Sequence, residues 1–355
     1  MFSKILAILS WFAVLLLWAC AAAPYANPSE WWGVPGLFGL CFPFCVAAVV
    51  GMGMVCLLFK PRLAWIAAVG LLGCCGALRD YFPINLSSPP PKGCIKVMTY
   101  NVCSFSNWKT DERGNLVVME YVCAQKPHLA CLQEATYKKT AYEDTLMRTV
   151  RRYGYHYRKE KMGQSAVGLL SRFPIAKSRL LFCAKANGAA AFWVLPPGGD
   201  TVVVVNVHLE SMHLSKEDRT NYHLLVRNPE AADSVRSRLG FLRKIANASH
   251  ERAHQTDSLT QFLDQQKDRR IIVMGDFNDT PISYAHRQVC SRLNDVYRAT
   301  GNGIGRTFNK DAIYVRIDNI FCSDHWKPFA AMVENAVDYS DHYAVTAYLK
   351  PQVQR

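Results

Sequence analysis

The sequence predicts a segment of apolar helices followed by an α/β domain in which two packed sheets are flanked by helices. Two observations predict this architecture. Residues 1–80 are almost uncharged, and from Ile95 onward short apolar runs alternate with helical patterns. At 355 residues the chain is also longer than one compact core usually organises, which favours two structural units.

The charges of the chain lie almost entirely outside the apolar segment. The net charge is +13, and residues 81–355 hold 37 basic and 26 acidic side chains, a net of +11. A basic domain favours anionic partners such as nucleic acid, phospholipid head groups or phosphorylated metabolites. The other interpretation is that the excess charge serves solubility alone.

Cysteines give no sign of a metal site. Six of the thirteen lie in the apolar stretches, where they pack as small hydrophobic residues. The seven that follow include no C-x-x-C pair, so their spacing argues against zinc. The spacing does not reveal any disulfide pairing.

Three apolar runs are candidates for membrane helices. Ile5–Ala23 and Leu37–Phe59 are long enough to cross a bilayer, and Leu63–Leu78 is near the lower limit for a span of about 20 residues. We therefore predict a membrane segment over 1–80 with about three transmembrane helices. A signal peptide is the alternative for the first run, because small residues at Ala19–Tyr25 follow it. The two apolar runs that come next favour an uncleaved span.

Positive charges predict the orientation of these spans. Lys4 precedes the first run, Lys60 and Arg62 separate the second from the third, and the loop Tyr25–Gly33 has neither Lys nor Arg. Since Lys and Arg stay on the cytoplasmic side, three spans place the folded domain in the periplasm or outside the cell. Two spans would reverse this side. Residues 81–94 contain NLSSPPPK and predict an extended linker.

Apolar, β-branched and aromatic runs mark the strands of the folded domain. The candidates are Ile95–Asn101, His128–Gln133, Gly168–Ser171, Thr201–His208, Arg270–Met274, Arg316–Cys322 and Tyr343–Leu349. Helices are predicted over Val117–Gln125 and Tyr142–Tyr153, and residues 215–268 form a polar insertion with helical periodicity. The unbroken valines before His208 indicate a strand that is buried on both faces.

Polar residues stand at the ends of these strands. The short segments are Tyr100-Asn101, Gln133-Glu134, Asn206–Leu209, Gly275–Asp279, Arg316–Asp318 and Ser340–His342. Any one of them alone is typical of a turn, a cap or a buried polar residue. Six together predict a site at which the strand ends meet.

The residue types in these segments fit phosphoester chemistry. Glu134 and Asp341 offer the hard oxygen atoms that Mg²⁺ prefers, and Asp276 could orient and deprotonate an attacking water. The charge that develops on the phosphoryl oxygens needs nearby donors, which Asn278, His208 and His342 can supply. A carboxylate such as Asp318 would orient His342 and favour its cation.

These motifs resemble the endonuclease/exonuclease/phosphatase superfamily, which includes DNase I, abasic-site endonucleases, inositol polyphosphate 5-phosphatases and neutral sphingomyelinases. The matching segments are Thr99–Val102, Pro127–Glu134, Gly168–Pro174, Asn206–Glu210, Gly275–Asp279, Arg316–Phe321 and Ser340–His342. The resemblance implies a four-layered α/β sandwich over a catalytic domain at 95–355. It also implies a Mg²⁺ cofactor, with Mn²⁺ as a substitute.

The resemblance assigns a role to each motif residue. The metal side would hold Glu134, Asn101 and Asp341; the catalytic residues would be Asp276, His342, His208 and Asp318; the substrate would contact Asn278, Asn206 and Arg172. The Val-Cys-Ser-Phe run after Asn101 lacks the acidic and glycine residues of the abasic-site endonucleases, and no inositol-phosphatase specificity segment is evident. The motifs therefore match the general family pattern better than any one branch.

A basic stretch bears on the substrate. Arg148–Arg179 holds nine Lys and Arg residues against Glu160, with Tyr153, Tyr155 and Tyr157 among them. Such a stretch can hold a nucleic acid or meet an anionic lipid surface, or it can be a solvated hairpin. The sequence thus predicts an integral membrane phosphodiesterase or nuclease, with a lipid head-group phosphodiesterase or a lipid or inositol phosphatase as the alternative. A non-catalytic phospholigand-binding module and a membrane scaffold rank lower, and no protein partner is implied.

Overall fold

The structure is a computed structural model that describes residues 1–86, 88–136, 140–212, 235–310 and 314–352. Contacts divide the chain into two compact units. The first unit is Met1–Phe82, Met212–Ala253 and Asp279–Arg287, and the second is Pro83–Ser211, His254–Asn278 and Gln288–Arg355. This division differs from the sequence-based one at 1–80, 81–94 and 95–355, because two stretches of the predicted catalytic domain pack with the apolar helices.

Nine right-handed helices are found in the described part of the chain. They are α1 (Phe2–Ala22), α2 (Val34–Phe59), α3 (Ala64–Leu72), α4 (Cys75–Tyr81), α5 (Val117–Ala124), α6 (Thr140–Arg152), α7 (Val235–Gln265), α8 (Tyr284–Cys290) and α9 (Val296–Thr300). The predicted insertion at 215–268 is therefore helical over Val235–Gln265, and residues 215–234 lie outside the described part.

Two helices, α1 with the turn that follows it and α2, are long and apolar enough to span a membrane. The third predicted span is a pair of shorter helices, Pro61–Leu72 and Cys75–Tyr81, bent by 64° at the break between them. These helices pack closely where small residues face aromatic ones. For example, the indole N–H of Trp18 donates to the carbonyl of Gly70 at 2.9 Å, and the ring of Trp11 lies 5.6 Å from that of Trp65.

Within the first unit, α2 also packs against residues from much later in the chain. Gly33 and Gly36 have no room for a β-carbon, because the carbonyl of Ala246 and the side chain of Ser249 lie against them. Gly39 meets the carbonyl of Ile282 in the same way. Glycine at this spacing on α2 is therefore what lets its backbone approach α7 so closely.

The strands of the second unit form two six-stranded sheets. They are β1 (Ile95–Asn101), β2 (Leu129–Gln133), β3 (His156–Met162), β4 (Ser165–Ser171), β5 (Ile175–Ala184), β6 (Asn187–Val194), β7 (Val202–His208), β8 (Arg270–Asp276), β9 (Asn294–Asp295), β10 (Asp318–Cys322), β11 (Trp326–Glu334) and β12 (Ala344–Pro351). The first sheet has the order β11-β12-β1-β2-β4-β3, and the second has the order β5-β6-β7-β8-β10-β9. All seven predicted strands are present, with ends that shift by up to three residues.

The two sheets pack face to face and helices cover their outer faces. Between the sheets, Val97, Leu129 and Leu169 of the first meet Phe192, Val204, Ile272 and others of the second in one apolar core. A second apolar cluster joins the outer face of the first sheet to α5 and α6. On the second sheet, Phe262 of α7 contacts Trp193 of β6 edge to face. The α/β sandwich that the sequence predicts is confirmed.

The start of the predicted linker is fixed to the second unit. The amide nitrogen of the Asn85 side chain donates to the carbonyls of Gly301 and Arg298, and the carbonyl of Pro83 accepts from the N–H of Gly303. Hydrogen bonds on both sides of Ile84 hold this part of the chain in one place. The linker is thus anchored from its third residue, which an extended Pro/Ser-rich segment need not be.

Candidate active site

The polar residues meet because the two sheets present the same ends of their parallel strands at one edge. In the first sheet β1 and β2 run parallel, and Asn101 pairs with Gln133 at their carboxyl ends. In the second sheet β7 and β8 run parallel, and His208 pairs with Asp276, which in turn pairs with Asp318 of antiparallel β10. Residues that follow strand ends therefore converge on this edge, as the sequence predicts.

Asn101 connects the two sheets at the site. Its amide nitrogen lies 3.2 Å from Oε1 of Glu134 and 3.1 Å from Oδ2 of Asp276. Its side-chain oxygen Oδ1 accepts from the backbone N–H of Cys103 at 3.1 Å. In this arrangement Asn101 positions two carboxylates rather than offering an oxygen atom to a cation. On the metal side, Asn101 therefore contacts Glu134, the carboxylate predicted to be the main metal ligand.

A cluster of three buried residues forms the centre of the site. Nδ1 of His342 lies 2.8 Å from Oδ2 of Asp318, and Nε2 lies 3.7 Å from Oδ2 of Asp276. One ligand atom from each of the three lies within 4.8 Å of the others. Burial alone would lower the pKa of His342, but the charges of Asp318 and Asp276 outweigh it and raise that pKa to about 10. The imidazole is therefore a cation at neutral pH.

For Asp276, burial outweighs the effect of the nearby positive charge on the pKa. It is buried, which raises the pKa of its carboxyl group to about 6, although the neighbouring charge of His342 opposes that shift. Its Oδ1 accepts the N–H of Asn278 at 2.8 Å. The carboxylate is thus held in one orientation and titrates close to neutral pH, which is where a general base works best.

His208 lies between two carboxylates. Its Nε2 is 3.8 Å from Oδ2 of Asp276 and 3.9 Å from Oε1 of Glu134. Burial lowers the pKa of His208, partly opposed by the charge of Asp276. A neutral imidazole here can donate a hydrogen bond without adding a second positive charge to the site.

Asn278 adopts a backbone conformation that few side chains tolerate. Its φ is 50°, in the left-handed region where Asn is one of the few acceptable residues. The side-chain amide donates to the carbonyl of Leu209 at 2.9 Å. The loop after β8 thereby places Asn278 beside the end of β7 and only two residues from Asp276.

Glu134 and Asp341 form the more open, acidic side of the site. The Glu134 side chain is 38% exposed, and Asp341 is half-buried. Burial raises the pKa of Glu134, the Asn101 hydrogen bond lowers it, and the nearby charge of Asp341 raises it again. Ser340 fixes this side, because its hydroxyl donates to the carbonyl of Asn101 at 2.7 Å.

These oxygen atoms fit a hard divalent cation. The charge of Asp341 raises the pKa of Glu134, so these two partly accessible carboxylates repel each other, and a cation between them would relieve that repulsion. Glu134 and Asp341 would hold it, with Asn101 orienting Glu134. The described residues that line this edge contribute no thiolate and histidine set of the kind that zinc prefers.

A left-handed turn borders the acidic side. All six residues of Cys103–Trp108 have φ between 44° and 64°. The turn is tied to the site by the N–H of Ser104, which donates to the carbonyl of Glu134, and by a hydroxyl contact between Ser104 and Thr136. Such backbone is unfavourable for L-residues and is found where function or surrounding contacts demand it.

Two of the predicted substrate contacts, Asn206 and Arg172, have other partners in the structure. Asn206 is fully buried, and its amide bonds Gln133, Leu132 and Gly168, so it joins the two sheets instead of facing a substrate. The sequence cannot show which of Asn206 and His208 faces a substrate, since residues two apart on a strand share one face.

Arg172 lies at the far end of the first sheet. Its backbone N–H donates to the carbonyl of His128, just before the start of β2, whereas Glu134 follows the end of that strand. Six residues of extended chain correspond to roughly 20 Å. The guanidinium stacks on the ring of Tyr155 at 3.8 Å. The structure therefore places Arg172 away from the cluster of polar residues at the other strand ends.

Sequence reasoning missed Phe308, which contacts His342, and Arg252, which pairs with Asp279. The ring of Phe308 meets that of His342 edge to face at 5.3 Å and so limits how the imidazole can turn. Arg252 lies in the middle of α7 and pairs with Asp279, the residue after Asn278. A single Phe in a loop and a single Arg in a polar helix carry no signal that would distinguish them.

Comparison with known proteins agrees with this geometry. The model of the Endonuclease/Exonuclease/phosphatase family matches residues 98–342. The chain belongs to this family. That membership makes it a phosphoesterase, as the resemblance of its motifs implies. A second model, for a domain of unknown function, matches residues 3–81, and a search of curated proteins gives no significant match.

Solved structures share the fold of the family domain. The human Nocturnin catalytic domain with bound sulfate is 18% identical and superposes with a TM-score of 0.52, over 75% of this chain and 100% of that one. An endonuclease/exonuclease/phosphatase protein from Beutenbergia cavernae is 16% identical with a TM-score of 0.50, over 73% and 72% of the two chains. A conserved protein of unknown function from Enterococcus faecalis is also 16% identical, with a TM-score of 0.50, over 73% and 100%. At these identities the likeness shows the fold.

Proposed function

We propose that this protein is a Mg²⁺-dependent hydrolase of phosphodiester bonds, integral to a membrane and with its catalytic unit on the non-cytoplasmic side. The observation that carries the proposal is the buried cluster of Asp276, Asp318 and His342 beside the half-open carboxylates Glu134 and Asp341. A bound Mg²⁺ would polarise the phosphoryl group and offset its charge.

The protein side chains divide the remaining work. Asp276, with a pKa of about 6, accepts the proton of the attacking water and aligns that water with phosphorus. The His342 cation faces the same region and stabilises the negative charge that builds on the phosphoryl oxygens. Asn278 and neutral His208 supply hydrogen bonds to those oxygens.

The contacts among the apolar helices support three passes through the membrane. Side chains of α1 and α2 contact each other along the whole hairpin. Phe2 contacts Phe59 at one end, and Cys20 contacts Cys45 near the other. The broken helix α3–α4 starts beside Trp11 at Trp65 and ends with Tyr81 against Phe42. It therefore returns along the full length of the α1–α2 hairpin.

Contacts at the α1–α2 loop support the proposed side of the catalytic unit. Within the first unit, Tyr25 stacks with Arg287 at 3.6 Å, and Gly33 lies against Ala246. Both partners belong to the stretch matched by the family model, which folds on one side of the membrane. The loop then lies on that side, and Lys4, Lys60 and Arg62 lie on the opposite one. By the positive-inside rule the opposite side is the cytoplasm.

A membrane anchor favours a second candidate, a lipid head-group phosphodiesterase. Packing of α2 against α7 makes the apolar helices part of a unit that also holds catalytic-domain residues, which suits a substrate in the bilayer. The nine basic residues of Arg148–Arg179 favour a nucleic acid instead. The two candidates share the same site chemistry and differ only in what carries the phosphodiester.

One experiment separates them. The full-length chain in nanodiscs is incubated with Mg²⁺ or with chelator, and it is offered plasmid DNA and sphingomyelin–phosphatidylcholine vesicles side by side. Magnesium-dependent cleavage of DNA indicates a nuclease, and release of phosphorylated head groups indicates a lipid phosphodiesterase. Turnover no higher than that of Asp276→Asn on both substrates would overturn the proposal. The side of the membrane is read from reporter fusions after residue 62 and after residue 352, which should give opposite results.

A further inference from the structure

We propose that Arg252 is a positioning residue, which fixes the active-site loop through Asp279 so that Asn278 can meet the substrate. The inference rests on the proposed function, because it needs Asn278 to act on a phosphoryl oxygen. The pair itself is an observation of the first unit: Nε of Arg252 lies 2.9 Å from Oδ2 of Asp279.

Both members of the pair are withdrawn from water. Arg252 is 1% exposed and Asp279 is 6% exposed. A buried ion pair often stabilises a fold no better than two apolar side chains of the same size would, because both charges lose their hydration. Its presence in the middle of α7 therefore calls for a role other than stability.

The position of Asp279 indicates that role. It directly follows Asn278, and the chain from Phe277 to Ser283 is neither helix nor strand, so no regular hydrogen-bond ladder holds it. The only backbone bond at its start runs from the N–H of Phe277 to the carbonyl of Ile317, among the described residues. A loop of this kind needs side chains to define its path.

Carboxylates accept hydrogen bonds from the backbone at Asn278 and at Thr280, two residues later. Upstream, Oδ1 of Asp276 accepts the N–H of Asn278 itself. Downstream, Oδ1 of Asp279 accepts the N–H of Thr280, while Arg252 holds the other oxygen. The unfavourable φ of 50° at Asn278 persists only if its neighbours are fixed. Arg252 supplies the downstream fixation.

The support behind Arg252 is rigid. One turn earlier on α7, Ser249 lies against Gly36 of α2, and Ala246 lies against Gly33. Arg252 thus projects from a helix that is itself packed on a membrane helix. Positioning through a rigid element is what keeps a catalytic group within the small tolerance that the chemistry needs.

A double-mutant cycle on the full-length protein tests the inference. We expect Asn278→Ala to lower kcat about a hundredfold in the wild-type background, as loss of a transition-state donor does, but less than about tenfold in the Arg252→Met background. Arg252→Lys, which keeps the charge but not the Nε donor, should fall between. A purely structural role predicts the same Asn278→Ala factor in both backgrounds, and that result would overturn the inference.

Two further variants keep the test decisive. Asp264, near the end of α7, forms an exposed pair with Arg292, which lies outside that helix. Arg292→Met removes this pair and should leave kcat and the cycle unchanged. If Arg252→Met does not fold, Arg252→Met with Asp279→Leu replaces the pair by apolar side chains. A restored melting temperature with kcat still low supports positioning, and a restored kcat overturns it.

A wild-type protein without magnesium-dependent turnover overturns the proposed function, whereas an active wild type with additive effects overturns this inference alone.

Discussion

Nδ1 of His342 and Oδ2 of Asp318 lie 2.8 Å apart, which leaves Nε2 of the same ring directed toward Asp276. Asp318 thus decides both the direction of the ring and its charge. The contact joins β10 to His342, two residues before β12, so it links the two sheets at the edge where the polar residues meet.

Replacing Asp318 by Asn should lower kcat about a hundredfold or more, because the imidazole loses the partner that keeps it charged and oriented. The measurement is hydrolysis of whichever substrate, DNA or vesicle lipid, the nanodisc experiment shows to be cleaved. The matched control is Asp200→Asn, at an exposed carboxylate that pairs with Arg270 on the surface. Equal activity of the two variants would contradict a role for Asp318 in the reaction.

The pH dependence of kcat should show two limbs. Below about 6 Asp276 is protonated and cannot accept a proton from water, so the rate falls as pH decreases through that value. His342 keeps its proton until about 10, so the rate falls again as pH increases through that value. In Asp318→Asn the upper limb should move to lower pH, since the charge that raises the pKa of His342 is gone. A rate that stays flat between pH 4 and 8 would rule out Asp276 as the base.

Glu134→Gln should weaken the binding of Mg²⁺ without unfolding the protein. A neutral amide is a poorer ligand for a hard cation, so the Mg²⁺ concentration for half-maximal rate should rise at least about tenfold. Glu143→Gln is the control, because Glu143 is a partly exposed carboxylate that pairs only loosely with Lys159 at 3.7 Å. An unchanged Mg²⁺ requirement in Glu134→Gln would exclude it as the main ligand.

Two alanine substitutions in α2 should have opposite effects on stability. In Gly39→Ala the new methyl group meets the carbonyl of Ile282, whereas at Gly51 nothing lies within 4 Å. Overpacking costs about 1–3 kcal/mol, while Gly→Ala in an open helical position gains about 1 kcal/mol. Thermal unfolding in the same detergent compares the two variants. A lower melting temperature for Gly51→Ala than for Gly39→Ala would contradict the close packing of α2 against Ile282.

Much of the site could be predicted from the sequence because strand ends carry the chemistry. The strands that bear Asn101, His208 and Asp276 are buried and apolar up to the polar residue, so both strand and site stand out. The edge strand β5 and its neighbour β6 do not. In β5 most residues are exposed or half-buried, and β6 contains three successive alanines, so neither gives the alternation that marks a strand.

The division of the chain could not be predicted for a different reason. Ala246, Ser249 and Ile282 are ordinary residues of a helix and a loop, and glycines on α2 are common in membrane helices. Only the folded backbone shows that they touch. Likewise, periodicity gave α7 as a helix but could not distinguish Arg252 from the exposed basic residues around it, since burial of a charge depends on the partner that meets it.

The composition of the first unit has a consequence for the order in which the chain can fold. Its apolar helices end at Phe82, and their packing partners begin only at Met212 and continue to Arg287. During synthesis, at about 5–20 residues per second, the glycine face of α2 waits roughly ten seconds or longer before Ala246 and Ile282 exist. Contacts over such sequence separations also form slowly because a long loop must close first. The apolar helices are therefore made with one face incomplete, and residues from much later in the chain finish the unit that was begun first.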